Sequence, residues 1–315
     1  MHILITGGFG FLGGRLGKFL QEEGDTITLG SRVPHEPPPW LPRAKILEIN
    51  WLDQVALGDA CNDVDVVIHA AGMNAGECGN DPAGALDFNG GATARLMAAA
   101  SQTRIKKFIY LSTAHVYSSP LEGVITETTE VKNSHPYATS HLAGESAVLT
   151  TGWSGGSVIR LSNVFGAPTH RDVNCWMLLV NELCRQVIER KKITLRTNGM
   201  QYRDFVDMNR VCGVISTIIR GDLDLNKKIF NLGFGTSKTV LEMAKLIQSR
   251  CEILLGFKPD LEITESSQNE KHYPLIYRSE NLTSSDVLGD QESFVAEVDN
   301  LILFCKEIFK YKKVD

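Results

Sequence analysis

No segment of the sequence is apolar for long enough to span a bilayer, and the first predicted strand begins by residue 3, which leaves no room for a signal segment. The seven cysteines include no C-x-x-C pair, which argues against a zinc site or a disulfide framework and indicates reduced thiols that pack as small apolar groups. A basic block is also missing and the formal net charge is −5, which argues against nucleic acid as a partner. We therefore expect a cytoplasmic protein that binds a small phosphorylated ligand and uses neither a metal ion nor a membrane.

Apolar, β-branched runs recur through the first half of the chain and alternate with stretches of helical spacing. The runs lie at 3–6, 26–29, 45–49, 64–70, 107–111 and 157–161. This alternation is typical of βαβ units, so the sequence predicts an α/β fold with a Rossmann-type doubly wound parallel sheet. After Gly166 the pattern loosens, which indicates a smaller C-terminal α/β substrate lobe. We predict a dinucleotide-binding domain over 1–165 and a substrate-binding lobe over 166–315, with segments near 200–235 returning to the first lobe.

A glycine-rich turn follows the first apolar run and precedes a predicted helix that begins near Phe11. Glycine suits this place because the strand must turn sharply, the backbone must approach a pyrophosphate, and the helix must present free N–H groups to that anion. A side chain at Gly7 or Gly10 would obstruct the turn or the approach. The residues predicted to contact a dinucleotide here are Gly7, Gly10, Phe11, Leu12 and Gly13.

An acidic residue is missing where dinucleotide-binding chains use one to hold the free ribose hydroxyl of NAD. The second predicted strand is followed instead by Gly30-Ser31-Arg32. A hydroxyl and a guanidinium suit a 2′-phosphate, so we expect NADP in preference to NAD. The alternative is that Arg32 is an ordinary solvated side chain.

Two further segments are expected to contact the cofactor. Asp53 follows the third strand, where its carboxylate could accept from the adenine amino group or cap the next helix, and the two roles are not exclusive. Ala70, Ala71 and Gly72 close the fourth strand, and their small side chains let a flat cofactor lie against the strand end.

Several later segments occur in a definite order, at 110–117, 137–145, 160–166, 202–207 and 230–233. Together with the glycine turn, they resemble the extended short-chain dehydrogenase/reductase family, which includes nucleotide-sugar epimerases and dehydratases. The resemblance covers about residues 1–290. It implies an NAD(P)-dependent enzyme that acts on a nucleotide sugar, and a homodimer is common in families of this kind.

The resemblance also implies roles for three residues. Thr113, at the end of the fifth strand, would hydrogen-bond the reacting hydroxyl or ketone, and Tyr137 would exchange the proton as hydride moves. The family places a lysine four residues after this tyrosine, where it binds the nicotinamide ribose and lowers the pKa of the phenol. Here that position is His141, so the permanent cation is missing, although an imidazole N–H could keep the ribose contact.

The histidine leaves three alternatives open. His141 could be a working substitute that gives an acid-shifted activity, with a rate that falls as it deprotonates; a flat profile between about pH 6 and 9 would rule this out. Tyr137 could act only as a proton donor in reduction, where a high pKa is less harmful. The site could also have lost its redox chemistry.

The reaction we expect is NADP-linked reduction of a keto-sugar nucleotide. One alternative is an epimerase or dehydratase that retains NAD and reoxidises it in each cycle. Another is a non-catalytic dinucleotide-binding subunit or sensor. The loss of lysine favours the first reaction, because a tyrosine that only donates a proton tolerates it best.

Candidate substrate residues lie mainly beyond residue 160. By resemblance, Asn163 and Arg203 face the diphosphate of a nucleotide sugar, although Arg203 could instead form a structural ion pair with Asp204. Arg278 is a weaker phosphate candidate. His115, two residues after Thr113, could contact the sugar or merely pack.

Overall fold

The computed structural model describes residues 1–221, 228–264, 273–282 and 291–311. Its strands are β1 (His2–Thr6), β2 (Thr26–Ser31), β3 (Lys45–Glu48), β4 (Val66–His69), β5 (Lys107–Thr113), β6 (Gly123–Ile125), β7 (Gly156–Leu161), β8 (Asn163–Phe165), β9 (Lys192–Leu195), β10 (Tyr202–Asp207), β11 (Ile229–Leu232), β12 (Ser237–Thr239), β13 (Asp260–Ile263) and β14 (Leu275–Tyr277). Its helices are α1 (Phe11–Glu22), α2 (Gln54–Cys61), α3 (Ala75–Asn80), α4 (Pro82–Ala85), α5 (Thr93–Ala100), α6 (Pro136–Leu149), α7 (Leu179–Arg190), α8 (Met208–Arg220), α9 (Val240–Leu255) and α10 (Gln291–Ile308).

A seven-stranded sheet in the order β11-β7-β5-β4-β1-β2-β3 forms the larger lobe, and all its neighbouring pairs are parallel. The six apolar runs of the sequence are six of these strands, so the predicted doubly wound parallel sheet is confirmed. β1 pairs with β2 on one side and with β4 on the other. The chain therefore reverses its direction of winding at β1, which opens a crevice at the carboxyl ends of β1 and β4.

The C-terminal part of the chain contributes to both lobes. β11 pairs with β7 at the edge of the large sheet, whereas β10 lies between β12 and β8 in a separate three-stranded sheet. The cores are also separate, since Ile5 and Ile109 belong to one apolar cluster and Phe165 and Val298 to another. The proposed boundary at residue 165 stays a prediction.

A π-helical stretch over Leu86–Ala92 joins α4 to α5 without a break. Asn89 lies on this stretch and Thr93 directly follows it, and both side chains are buried. A π-helical turn of this kind widens the helix locally and is frequent at functional sites. It brings polar groups against the ends of β4 and α6.

All seven cysteine side chains are buried and none is in a disulfide, in agreement with their predicted packing role. Within the described residues, no helix is long and apolar enough to cross a membrane.

Candidate active site

The glycine turn after β1 has no room for side chains. Gly7 has a φ of +66°, and a Cβ built there would lie 2.8 Å from the Ala71 amide nitrogen. A Cβ on Gly13 would lie 2.3 Å from the Gly7 carbonyl oxygen. Gly10 is the N-cap of α1 and has no side chain, so the N–H groups near Phe11 and Leu12 have no side-chain acceptor at this end of the helix. A close-packed turn with free helix N–H groups fits the pyrophosphate of a dinucleotide.

The end of β4 packs directly on this turn. The Gly7 Cα faces the backbone of Ala70 and Ala71, and the Ala71 N–H donates to the Thr6 hydroxyl at 3.3 Å. A Cβ on Gly72 would lie 3.4 Å from the Asn89 side-chain oxygen. Small residues here keep the crevice beside the turn open.

Ser31 and Arg32 lie at the carboxyl end of β2, as predicted. The Ser31 hydroxyl accepts from the Val33 N–H at 3.3 Å. Arg32 is exposed, and its guanidinium carbon lies 5.6 Å from the centroid of the Phe88 ring, which is a cation–π distance. Arg32 is therefore held over an aromatic ring while its donors still face solvent.

Asp53 caps α2. One of its carboxylate oxygens accepts from the N–H groups of Val55 and Ala56, each at 3.0 Å. The capping role is thus confirmed, and the adenine contact stays a prediction.

Two aromatic residues near the crevice, Trp51 and Phe88, were not predicted from the sequence. The Trp51 ring lies 5.5 Å from Phe88 and 5.6 Å from His69, measured between centroids. The Trp51 indole N–H is buried and has no hydrogen-bond partner among the described residues. The only sequence signal for Trp51 is its place beside Asp53; nothing in the sequence points to Phe88.

Thr113, Tyr137 and His141 come together at the carboxyl end of β5. The Thr113 hydroxyl lies near the Tyr137 phenol and lowers its pKa. α6 begins at Pro136, and the His135 imidazole caps it by accepting from the Tyr137 N–H at 3.1 Å. One turn later His141 meets Tyr137 edge to face, with ring centroids 4.6 Å apart. The fold thus brings the three predicted catalytic residues into contact.

The pKa values make this cluster neutral. Burial raises the pKa of the Tyr137 phenol above its usual value, and the nearby Thr113 hydroxyl only partly offsets this. Burial also lowers the pKa of His141 to about 4. Both side chains are therefore uncharged at neutral pH, and a protonated His141 is confined to acid conditions.

Two buried sets of hydrogen bonds lie behind His141. The Tyr110 hydroxyl lies 3.0 Å from Nδ1 of His141. On the neighbouring strand, the His69 ring lies 2.6 Å from the Thr6 hydroxyl through Nδ1 and 2.9 Å from the Thr93 hydroxyl through Nε2. Burial lowers the pKa of His69 to about 3, with a smaller contribution from His141, so His69 is also neutral.

The substrate candidates divide into two groups. Arg203 on β10 has its pKa lowered by burial, and it lies near His115, whose own pKa is lowered by burial first and then by Arg203 and His135. A half-buried cation beside a histidine suits an anionic group of a ligand. Arg278 is instead exposed, and its guanidinium lies 3.9 Å from the Glu280 carboxylate.

The alternative ion pair between Arg203 and Asp204 is wrong. The Asp204 carboxylate accepts from the Ser162 hydroxyl at 2.6 Å and from the N–H groups of Phe234 and Gly235, each at 2.8 Å. Adjacent residues of a strand point to opposite faces, so Arg203 points away from this carboxylate. The Asn163 amide also has a structural contact, since it donates to the Asp204 carbonyl at 2.9 Å.

A doubly wound sheet with a close-packed glycine turn and a Thr–Tyr pair at its carboxyl edge defines a dinucleotide-dependent enzyme of the short-chain dehydrogenase/reductase class. Within that class, the chain matches the model of the NAD-dependent epimerase/dehydratase family over residues 3–233. The protein belongs to this family.

Its relatives are nucleotide-sugar enzymes. The chain is 25% identical over 268 residues to a dTDP-glucose 4,6-dehydratase of Streptomyces niveus, covering 80% of this chain and 78% of that protein. It is 27% identical over 287 residues to a UDP-glucose 4-epimerase of Haemophilus influenzae, covering 82% and 85%. Among solved structures, a UDP-glucuronic acid 4-epimerase of Bacillus cereus in complex with UDP-glucuronic acid and NAD has a TM-score of 0.77 at 20% identity, covering 98% of this chain and 100% of that chain.

Proposed function

We propose that this protein reduces a keto group on the sugar of a nucleotide sugar, with NADPH or NADH as the hydride donor. The observation that carries the proposal is the burial of Tyr137 and His141 against each other, which raises the pKa of the phenol and lowers that of the imidazole to about 4. At neutral pH Tyr137 holds a proton, and within the described part of the chain no permanent cation acts on the phenol to lower its pKa.

Reduction of a ketone requires a protonated Tyr137. A ketone that accepts a hydride becomes an alkoxide, which takes a proton from a positioned acid. Tyr137 would supply that proton, and the Thr113 hydroxyl would hydrogen-bond the same oxygen. Oxidation of a sugar hydroxyl would need Tyr137 as a phenolate, and a neutral His141 does little to stabilise one.

The residues of the crevice would hold the dinucleotide. The turn from Gly7 to Gly13 and the first turn of α1 would bind the pyrophosphate, Ala70 to Gly72 would leave space for the flat rings, and His141 would face the nicotinamide ribose. The bound dinucleotide would supply the hydride, which no side chain can.

Arg32 is the group that would select the phosphorylated cofactor. Its guanidinium stays accessible over Phe88 at the end of β2, where a 2′-phosphate would meet it and Ser31. The NAD in the solved Bacillus cereus complex supports NADH as the alternative.

On the other side of the crevice, Arg203 and His115 would contact the diphosphate and the sugar. Asn163 and Arg278 are weaker candidates. The half-buried position of Arg203 favours the diphosphate, because a partly desolvated guanidinium binds an anion more strongly than an exposed one.

The second candidate function is an NAD-retaining epimerase or dehydratase. It is supported by the activities named for the relatives, a 4,6-dehydratase and a 4-epimerase.

One experiment separates these functions. Freshly purified protein is denatured, and the released small molecules are identified by mass spectrometry. The native protein is then assayed with NADPH or NADH and a 4-keto nucleotide sugar. This substrate is prepared from dTDP-glucose with a 4,6-dehydratase. Consumption of either reduced cofactor that is lost in Tyr137→Phe supports the proposed reductase. Retained NAD with conversion of UDP-glucose or dTDP-glucose alone would favour the second candidate. Cofactor binding without any turnover would favour a non-catalytic sensor, and no binding would refute the dinucleotide site.

A further inference from the structure

Tyr110 lies behind the proposed active site, in the middle of β5, and its side chain is 1% exposed. Its hydroxyl oxygen is 3.0 Å from Nδ1 of His141, and this contact anchors the Nδ1 side of the imidazole in the protein. The neutral imidazole has one N–H, so the direction of this hydrogen bond decides which nitrogen carries the proton.

The neighbouring hydrogen bonds indicate that direction. Thr93 donates its proton to the Asn89 carbonyl at 2.6 Å, so its oxygen serves as an acceptor. His69, 2.9 Å away through Nε2, therefore donates to Thr93, and Thr6 donates to Nδ1 of His69 at 2.6 Å.

The Tyr110 hydroxyl keeps its own proton, because burial raises its pKa well above the usual value. Thr93 is a second neighbour of this hydroxyl, but the hydrogen bonds of the Thr93 hydroxyl go to Asn89 and His69. Among the described residues, Nδ1 of His141 is the acceptor within hydrogen-bond distance of the Tyr110 oxygen, at 3.0 Å. The Tyr110 proton then has its acceptor in Nδ1 of His141, and the His141 proton resides on Nε2.

The packing around Tyr110 is built to admit its hydroxyl. A Cβ on Gly144 would lie 2.4 Å from the Tyr110 oxygen and 2.7 Å from the Asn89 carbonyl oxygen. Glycine is unfavourable inside a helix such as α6, so its presence here is explained by the space that the hydroxyl occupies.

We infer that Tyr110 is a positioning residue that fixes His141 as the Nε2–H tautomer and directs that N–H away from the core, as a donor to a ribose hydroxyl of a bound dinucleotide. The ribose contact rests on the proposed function, whereas the tautomer is a property of the protein alone. His141 then takes over the donor role of a lysine without its charge.

The test is ¹⁵N NMR of cofactor-free protein with labelled histidines, in which His141→Gln identifies the His141 signals. We expect the native protein to show Nε2 protonated and Nδ1 as a hydrogen-bonded acceptor. In Tyr110→Phe the Nδ1 signal should move to the position of an unbonded acceptor. The matched control is Tyr277→Phe, because the buried Tyr277 hydroxyl donates to the Arg160 carbonyl and to Asn231 and should not affect His141. An Nδ1–H tautomer in the native protein, or unchanged signals in Tyr110→Phe, would overturn the inference; the native spectrum decides even where the variant fails to fold.

The second measurement is the dissociation constant for NADPH and NADH. Tyr110→Phe should weaken binding about tenfold, which corresponds to about 1.4 kcal/mol. In the His141→Gln background the same change should have no further effect, because Tyr110 acts through His141; additive effects would contradict that. If the native protein binds neither cofactor, the proposed function fails while the tautomer assignment stands or falls on the spectrum.

Discussion

The proposed reduction requires the hydroxyl proton of Tyr137. Tyr137→Phe removes this proton and leaves the ring in place. We expect the turnover number for keto-sugar reduction to fall roughly 10²- to 10⁴-fold, the usual contribution of a positioned general acid. The dissociation constant of the cofactor should change little.

Steady-state kinetics with a 4-keto nucleotide sugar would measure this effect. Tyr277→Phe is the control, since it removes another buried hydroxyl, whose hydrogen-bond partners are Arg160 and Asn231 rather than Thr113 or Tyr137. Equal turnover in native protein and Tyr137→Phe would contradict the assignment of Tyr137 as the acid.

The pH profile tests whether His141 works as a cation. Because its pKa is lowered to about 4, His141 does not titrate at neutral pH. Tyr137 also stays protonated, since its pKa is raised. The turnover number for reduction should therefore be constant between about pH 6 and 9 in a buffer series. A rate that falls across this range in native protein, and no longer falls in His141→Gln, would restore the acid-shifted alternative.

Acid should unfold the protein through the same buried imidazoles. A histidine in the unfolded chain titrates near pH 6.5, whereas His141 in the folded protein has a pKa of about 4 and His69 of about 3. Between these values the unfolded chain binds more protons, so the free energy of unfolding falls as pH is lowered through the window from about 6.5 to 4. We expect each histidine to contribute a loss of about 3 kcal/mol, measured by urea denaturation at several pH values. His141→Gln should have a shallower pH dependence, and an unchanged slope would contradict the role of His141.

The sequence located the candidate site residues that belong to short contiguous motifs. Gly7 to Gly13, Thr113 and Tyr137 fall where the motifs predict, because local turns and strand ends position them. Tyr110 and Phe88 could not be found in this way, since each becomes relevant only through a partner distant in sequence, His141 and Arg32. The alternative ion pair between Arg203 and Asp204 was wrong because two adjacent residues of a strand point to opposite faces of the sheet.

At the level of elements, the turn between β1 and α1 makes the sharpest prediction. Gly13→Ala would place a Cβ 2.3 Å from the Gly7 carbonyl oxygen, which is backbone and can move only if the turn shifts. We expect cofactor affinity to fall at least about tenfold, because a shifted turn no longer directs its N–H groups at the pyrophosphate.

Gly58→Ala in α2 is the matched control, because a Cβ there meets nothing within 4 Å. It should leave cofactor binding unchanged and stabilise the helix by up to about 1 kcal/mol. Isothermal titration with NADH and NADPH would compare the two variants. Native affinity in Gly13→Ala would show that the turn does not hold the dinucleotide.

Elements of the large sheet were predictable because most of the long apolar runs are buried on both faces, whereas the edge strand β3 is only partly buried. The short strands β6, β8, β12 and β14 have three residues each, too few to show a period. The π-helical stretch over Leu86–Ala92 was also missed, because Asn89, Gly90 and Gly91 are poor helix formers and indicate a turn rather than a helix.

At the scale of the whole molecule, one buried ion pair joins the lobes. Arg15 on α1 donates to the Glu297 carboxylate on α10 at 2.5 Å and to the Ala167 carbonyl at 2.6 Å, and the Glu297 side chain is completely buried. Arg15→Leu would leave the carboxylate buried without its cation. Removing one partner of a buried pair costs about 3–5 kcal/mol, so we expect a loss of that order in the free energy of unfolding.

The consequence should extend to the cofactor, because α1 carries both Arg15 and the N-terminus that meets the pyrophosphate. We expect Arg15→Leu to lower the denaturation midpoint and to weaken dinucleotide binding together, whereas Arg15→Leu/Glu297→Leu should recover much of the stability, since no charge is then left buried. Lys132→Ala is the control, because its 3.0 Å pair with Glu130 is exposed on both sides and should be worth less than about 1 kcal/mol. If Arg15→Leu were as stable as Lys132→Ala, the pair would not be what fixes α1 against α10, and the orientation of the two lobes would have to depend on their apolar contacts alone.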